Sequence, residues 1–235
     1  MRKAFKKGLI DGIPIALGYL SVSFGFGILA RRFNISAFYA WLISATNLTS
    51  AGQAAGVEII RLGGSIIEMI LTQLVINLRY SLMGISLTQK LDSRFNTKKR
   101  ILLSFGITDE IFAVAISKKG KISATYMAGL IVLPFIGWTS GTLLGAFCGE
   151  LLPSFFTDAL GIMLYGMFIA IFVPVAKKQK TVLFVVLMAA LFSAVFKYLL
   201  SFIGSGFAII LSAILSSIIA AICFPVESEE SQWVY

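Results

Sequence analysis

The chain contains no histidine, two cysteines and few charges: 13% of its 235 residues are Asp, Glu, Lys or Arg. Each shortage closes off a class of protein. Without imidazole there is no histidine-ligated metal centre and no base for a serine–histidine hydrolase, so Gly204-Ser205-Gly206 reads as a turn. Cys148 and Cys223 lie in apolar runs without CxxC spacing and read as small packing residues. A soluble domain coats its surface with about 25% charged residues. Half that share, beside 58% hydrophobic residues and a mean hydropathy of +0.92, excludes a water-soluble enzyme, a disordered chain and a secreted disulfide scaffold. No GxxxxGK(S/T) is present, which removes a nucleotide-driven pump. No helix carries an arginine at every third position, so there is no voltage sensor. Asp109 has no second aspartate at comparable depth, which argues against an intramembrane aspartyl protease. No enzyme, metal or cofactor is expected.

What the chain does have is long apolar runs. A spanning helix needs roughly 20 apolar residues. Candidate segments run over 13–30, 37–60, 64–88, 101–116, 122–148, 157–176, 181–202 and 205–223. The first follows Arg2, Lys3, Lys6 and Lys7 but lacks a small-residue cleavage region, so it is expected to be a permanent span behind a short cytoplasmic N-terminus over 1–12. The rest of the chain leaves no room for a soluble domain: 1–235 reads as a single transmembrane transporter domain ending in an acidic tail over 225–235.

Short cytoplasmic loops accumulate Lys and Arg, and this sets topology. Four clusters hold fifteen of the twenty basic residues: the N-terminus, residues 90–100, residues 117–121 and residues 177–180. The loops at 149–158 and 203–206 hold none and read as external. Eight ordinary spans would strand the 90–100 cluster outside. If 37–60 and 101–116 each enter and leave on one side, all four clusters and both termini share the cytoplasm, and only Arg31-Arg32 is left at the outer face. The expected fold is therefore an all-α integral membrane protein with about six full transmembrane helices plus two broken or re-entrant segments, one from each face; eight spans are the alternative.

Those two segments are also the polar ones. Asn47-Leu48-Thr49-Ser50-Ala51-Gly52-Gln53 interrupts the first and Thr108-Asp109-Glu110 the second. Irregular backbone survives in hydrocarbon only when packed in protein or lining a wet cavity. A charge at the bilayer centre costs at least about 2.5–3.5 kcal/mol and marks a pathway more often than not. Asn77 and Arg79 sit deep in 64–88 and project about 200° apart on a helix, so they need different partners. Asp109 and Glu110 are expected to divide their roles, one meeting a cavity and the other pairing with Arg79. Glu58 with Arg61, Glu68 and Lys197 read as interfacial or snorkelling charges. Gly137-x3-Gly141-x3-Gly145-x3-Gly149 reads as a small-residue packing ridge, and the Ala- and Ser-rich stretch 208–221 likewise. The function left is a secondary transporter, with a passive channel or a structural membrane subunit as alternatives.

Four motifs in order carry a family likeness: Ser50-Ala51-Gly52-Gln53, Asn77-Leu78-Arg79-Tyr80-Ser81-Leu82, Thr108-Asp109-Glu110-x-Phe112, and Gly137-Trp138-x2-Gly141-x3-Gly145 closing at Pro153, with Pro14 and Gly18 ahead of them. Together, over roughly 8–176, they resemble the AzlC family, the large permease subunits of branched-chain amino-acid exporters. That family usually has glycine where this chain has Ser50. The resemblance implies export of branched-chain amino acids, with methionine a further candidate, from the inner membrane of a bacterium and with a small AzlD-type membrane partner. A zwitterionic substrate needs a carboxylate site and an ammonium site beside an apolar pocket. Backbone amides over Thr49, Ser50 and Gly52, with the Gln53 amide, suit the carboxylate. Asp109 or Glu110 suits the ammonium or a coupled proton, and Asn77 and Arg79 complete the expected set, Arg79 either holding the second acid or binding the carboxylate.

Overall fold

A computed structural model describes residues 2–148, 173–200 and 202–225, with the single positions 155, 166 and 169. Among the described residues the regular elements are helices: α1 Arg2–Arg32, α2 Ala37–Thr46, α3 Ser50–Arg61, α4 Ile66–Thr88, α5 Thr97–Ser104, α6 Asp109–Ser117, α7 Ala124–Cys148, α8 Lys180–Tyr198 and α9 Ser205–Cys223. Five of these, α1, α4, α7, α8 and α9, are long and apolar enough to cross a bilayer. The expected span at 157–176, the loop at 149–158 with Gly149 and Pro153, and the tail beyond 225 fall almost wholly outside the described residues.

Helix α1 begins at Arg2, not at residue 13. At 1.5 Å per residue its 31 residues reach about 46 Å, against about 30 Å of hydrocarbon. The basic turns that read as a short tail are thus the protruding start of the first span.

Helices α1 and α7 form the spine. Gly8 packs against the backbone of 126–130, Gly137 against Ala16, Gly141 against Leu20 and Gly145 against Phe24, so the two helices rise in register and run parallel. A methyl group at any of these glycines would strike the opposing main chain. Lipid gives helices no hydrophobic reason to associate, and close backbone approach through small residues takes its place. The described part of the predicted ridge is therefore an interface.

Around this spine the two broken segments fold back on themselves. From the end of α1, α2 runs inward until the Ser44 and Thr142 hydroxyls meet at 2.6 Å. Helix α3 then returns: Val57 joins the cluster of Phe26, Ala30 and Ile35, and the Arg61 guanidinium lies 5.1 Å over the Phe33 ring just past the end of α1. The α5–α6 pair does the same from the other face. Lys90, just past α4, holds the carbonyls of Ile116 and Lys118 at the end of α6. Nearby, Lys121 reaches the Gln89 carbonyl at 2.8 Å. Both segments are helical hairpins that leave and return at one face, as expected, in place of two further spans.

Helix α9 starts beside α4, where the Gly206 amide donates to Glu68 at 2.6 Å. Lys197, near the end of α8, shares a cavity with the same Glu68. Helix α8 therefore starts at the opposite face, which brings Lys177, Lys178 and Lys180 level with the other three basic clusters. Arg31 and Arg32 end α1 at the far face.

Candidate functional site: a polar layer between two hairpin tips

Both hairpins turn at mid-depth, and both second arms start there under a threonine cap. Thr49 is extended (φ −130°, ψ 105°) and its hydroxyl accepts the Gly52 amide at 3.4 Å. Thr108 is extended (φ −120°, ψ 173°) and accepts the Ile111 amide at 3.4 Å. Each cap satisfies one of the amides a helix start leaves open; in α3 those of Ser50 and Ala51 stay without an intrahelical acceptor. Two half-helix N-termini thus direct partial positive charge into the middle of the molecule, where anionic groups are stabilised. Asp109 and Glu110 occupy that position on α6.

The first tip is locked by a buried relay. Trp138 Nε1 donates to Gln53 Oε1 at 2.9 Å and Gln53 Nε2 donates to Ser44 Oγ at 2.8 Å. Ser44 meets Thr142, and Thr142 donates to the Trp138 carbonyl at 3.2 Å. Gln53 is 1% exposed, so its amide serves protein partners on both sides. At the second tip the Tyr19 hydroxyl lies 2.6 Å from Thr108 Oγ1 and donates to Glu110. One phenolic proton cannot serve both oxygens; an ionised carboxylate only accepts, so Thr108 then donates to the phenol. The tips meet through rings, since Tyr19 and Trp138 stack edge-on with centroids 5.1 Å apart.

Helix α4 spans the gap with polar side chains on two of its faces. Gln73 Nε2 donates to the Gly52 carbonyl at the first tip at 2.8 Å. Asn77 Nδ2 donates to Gln73 Oε1 at 3.3 Å. Arg79 Nη1 pairs with Asp109 Oδ2 at 2.7 Å and its guanidinium lies 5.1 Å from the Tyr80 ring centroid. From Gln73 to Arg79 the helix advances about 9 Å, so one element touches both tips. Asn77 Oδ1 and Arg79 Nε are buried and have no partner among the described residues. Unsatisfied polar atoms in such a place are where a ligand or water gains most.

A cavity flanks this layer on each side. One of about 190 Å³ is lined by Asn47, Gly52, Gln53, Met69 and Gln73. The other, of about 340 Å³, is largely apolar and lined by Gly84, Leu87, Leu103, Ile107 and Met127.

All eight predicted residues thus fall in one layer. Thr49 and Thr108 are caps, Ser50 opens α3, and Gly52 is packed so tightly that a Cβ there would strike Gln73 and Thr49. Arg79 takes Asp109, and Glu110 takes Tyr19, where the sequence left the division open. Tyr19, Ser44, Gln73 and Thr142 were not singled out, and Trp138 entered only within a motif of the family likeness, with no role at the site. Of the four missed, a signal existed for Gln73, which continues the stripe Gln73, Asn77, Tyr80 at helical spacing.

Residues 14–152, which contain this whole layer, match the family described as AzlC protein. The inner membrane protein YgaZ of Escherichia coli (strain K12) is 32% identical over 71% of this chain and 71% of its own length. An uncharacterized membrane protein of Archaeoglobus fulgidus is 32% identical over 63% of this chain and 64% of its own length. The branched-chain amino acid transport protein AzlC of Bacillus subtilis (strain 168) is 24% identical over 75% and 70% respectively. No solved structure matches the chain.

Proposed function

This chain belongs to the AzlC family, and from that premise we propose that it is a secondary transporter exporting branched-chain amino acids, with methionine a further candidate, through the layer between the hairpin tips. The observation that carries the reading is the Arg79–Asp109 pair, at 2.7 Å and partly exposed, between two cavities. A zwitterion bears the same two charges as that pair. Its carboxylate can take Arg79 and its ammonium Asp109, so one ion pair becomes two and no charge is left uncompensated in a poorly solvated site. The α3 start, with the Ser50 and Ala51 amides, supplies further positive potential for the carboxylate. An aliphatic side chain fits the apolar cavity along Leu87, Leu103, Ile107 and Met127, whose volume of about 340 Å³ lies at the small end of the roughly 300–1,000 Å³ range of ligand pockets.

Gln53 and Asn77 position the tips in this reading. Glu110 carries the coupled proton, passing it by way of the Tyr19 hydroxyl, while Asp109 exchanges Arg79 for the substrate ammonium. Support for an inner-membrane location with cytoplasmic termini comes from the single basic face. Membership in the family supports a small AzlD-type membrane subunit as partner.

The test is counterflow and net efflux of labelled leucine, isoleucine, valine and methionine from proteoliposomes, with and without the candidate small subunit. Asp109→Asn abolishes both activities while the protein inserts and elutes normally. Glu110→Gln retains leucine-for-leucine exchange and loses its response to a proton gradient. Normal proton-driven efflux in both variants refutes these roles, and wild-type flux that never runs against a gradient makes the protein a channel.

A further inference from the structure

Glu58, Glu68 and Lys197, charges that read along the sequence as interfacial, line one cavity at the face opposite the basic clusters. It measures about 560 Å³ and is formed by the end of α3, the start of α4, the end of α8 and the start of α9. Two of its four charges cancel locally. Arg61 clasps Glu58 with Nε at 2.9 Å and Nη2 at 2.5 Å. Glu68 and Lys197 remain, opposite in sign and without an ion-pair partner among the described residues. Glu68 is only 5% exposed and accepts the Gly206 amide at the start of α9. Beside it Thr72 is fully buried, and its hydroxyl has no partner among the described residues. The two groups are neighbours, because a Cβ at Gly206 would strike both Thr72 Oγ1 and Glu68 Oε1. The remaining wall includes Leu62, Phe196, Ile203 and Ile209.

A buried carboxylate, an ammonium group from another helix and an aliphatic wall make the complement of one chemical class. We propose that this cavity is a second binding site for the zwitterion of an aliphatic amino acid. The ligand's ammonium meets Glu68, its carboxylate meets Lys197, and its side chain lies along Phe196, Ile203 and Ile209. The proposal rests on the reading that amino acids are the transported solute, but it concerns a different place. Glu68 is eleven residues before Arg79 on α4, about 16 Å along the helix. On that geometry the site holds solute at the outer face after it has left the central layer.

The experiment is equilibrium binding of labelled leucine to the full chain in nanodiscs of phosphatidylglycerol, with the central layer disabled by Asp109→Asn. Saturable binding persists in that background, and adding Lys197→Gln weakens it at least tenfold. Isoamylamine, which lacks the carboxylate, competes equally well with and without Lys197→Gln; a merely structural role for Lys197 would weaken both ligands together. Three results overturn the site: loss of all binding in Asp109→Asn, unchanged leucine binding after Lys197→Gln, or suppression by more than tenfold when phosphatidylethanolamine replaces phosphatidylglycerol. The last would make a zwitterionic headgroup the occupant. Failure of the central reading shows separately, as proton-driven efflux that survives Asp109→Asn.

Discussion

Gln53 shows how a polar residue in the membrane interior can be found from sequence while its task stays hidden. Its position in a break made it a candidate ligand for a carboxylate, yet its amide links Trp138 to Ser44. Gln53→Leu leaves the buried indole N–H without its acceptor, at about 1–3 kcal/mol for a buried group left unsatisfied, while the Ser44 hydroxyl keeps Thr142. A lower midpoint of thermal unfolding in detergent is the expected result; an unchanged midpoint shows that the relay does not hold the tip. Tyr19→Phe is the complementary change. It keeps the ring against Trp138 and removes only the hydroxyl that meets Thr108 and Glu110, so the pH profile of efflux changes, a readout that a lost packing contact alone would not move. Arg79, Asp109 and Glu110 were legible because hydrocarbon penalises a charge wherever it sits. Tyr19 was not, and Trp138 stood out only within the Gly137-Trp138 motif and without a task, since an aromatic side chain in an apolar run looks the same facing lipid or a partner. Glu68 reads as a snorkelling acid for a similar reason: its partner, the Gly206 amide, is 138 residues away.

Among elements, the half-helices and the parallel spine carry the architecture. Thr108 both caps α6 and meets Tyr19, so Thr108→Ala costs the roughly 0.5–2 kcal/mol of a lost cap and also loosens Glu110. In α1 and α7 glycine has two different meanings. Gly141 meets the backbone of Leu20, whereas Gly18 has nothing within 4 Å of where its Cβ would be. Alanine in place of glycine within an exposed helix gains up to about 1 kcal/mol from propensity. Gly18→Ala is therefore neutral or stabilising and Gly141→Ala destabilising, a difference in sign that paired thermal scans read directly. Equal shifts would dismiss the close approach of α1 and α7. The small-residue ridge was visible along the chain because its period is that of a helix. Its partner was not, because α1 presents a mixture of Gly, Ala and large residues that no short pattern distinguishes.

For the whole molecule, the decisive feature is that a full span precedes each hairpin: α1 before α2–α3, α4 before α5–α6. The two units point in opposite directions, so their tips meet at one depth from opposite faces, an arrangement suited to alternating access around a fixed site. The charge pattern was enough to expect this, since only same-side return of both segments gathers the four basic clusters on one face. What it could not supply was the depth and contact of the tips, which depend on pairings such as Tyr19 with Thr108. The hairpin topology separates cleanly from eight spans at three loop positions. In a background of Cys148→Ala and Cys223→Ala, single substitutions Leu62→Cys, Ser93→Cys and Lys119→Cys place a thiol after α3, after α4 and after α6. Hairpins put 93 and 119 on one face with 62 opposite; eight spans would pair 62 with 119 and leave 93 opposite. Labelling with a membrane-impermeant maleimide, on intact cells and then on opened membranes, is expected to modify Leu62→Cys from outside and the other two only after opening. Should Ser93→Cys label from outside while Leu62→Cys stays protected, the hairpins are spans, the basic clusters are split across the bilayer, and the two half-helix starts cannot share one site.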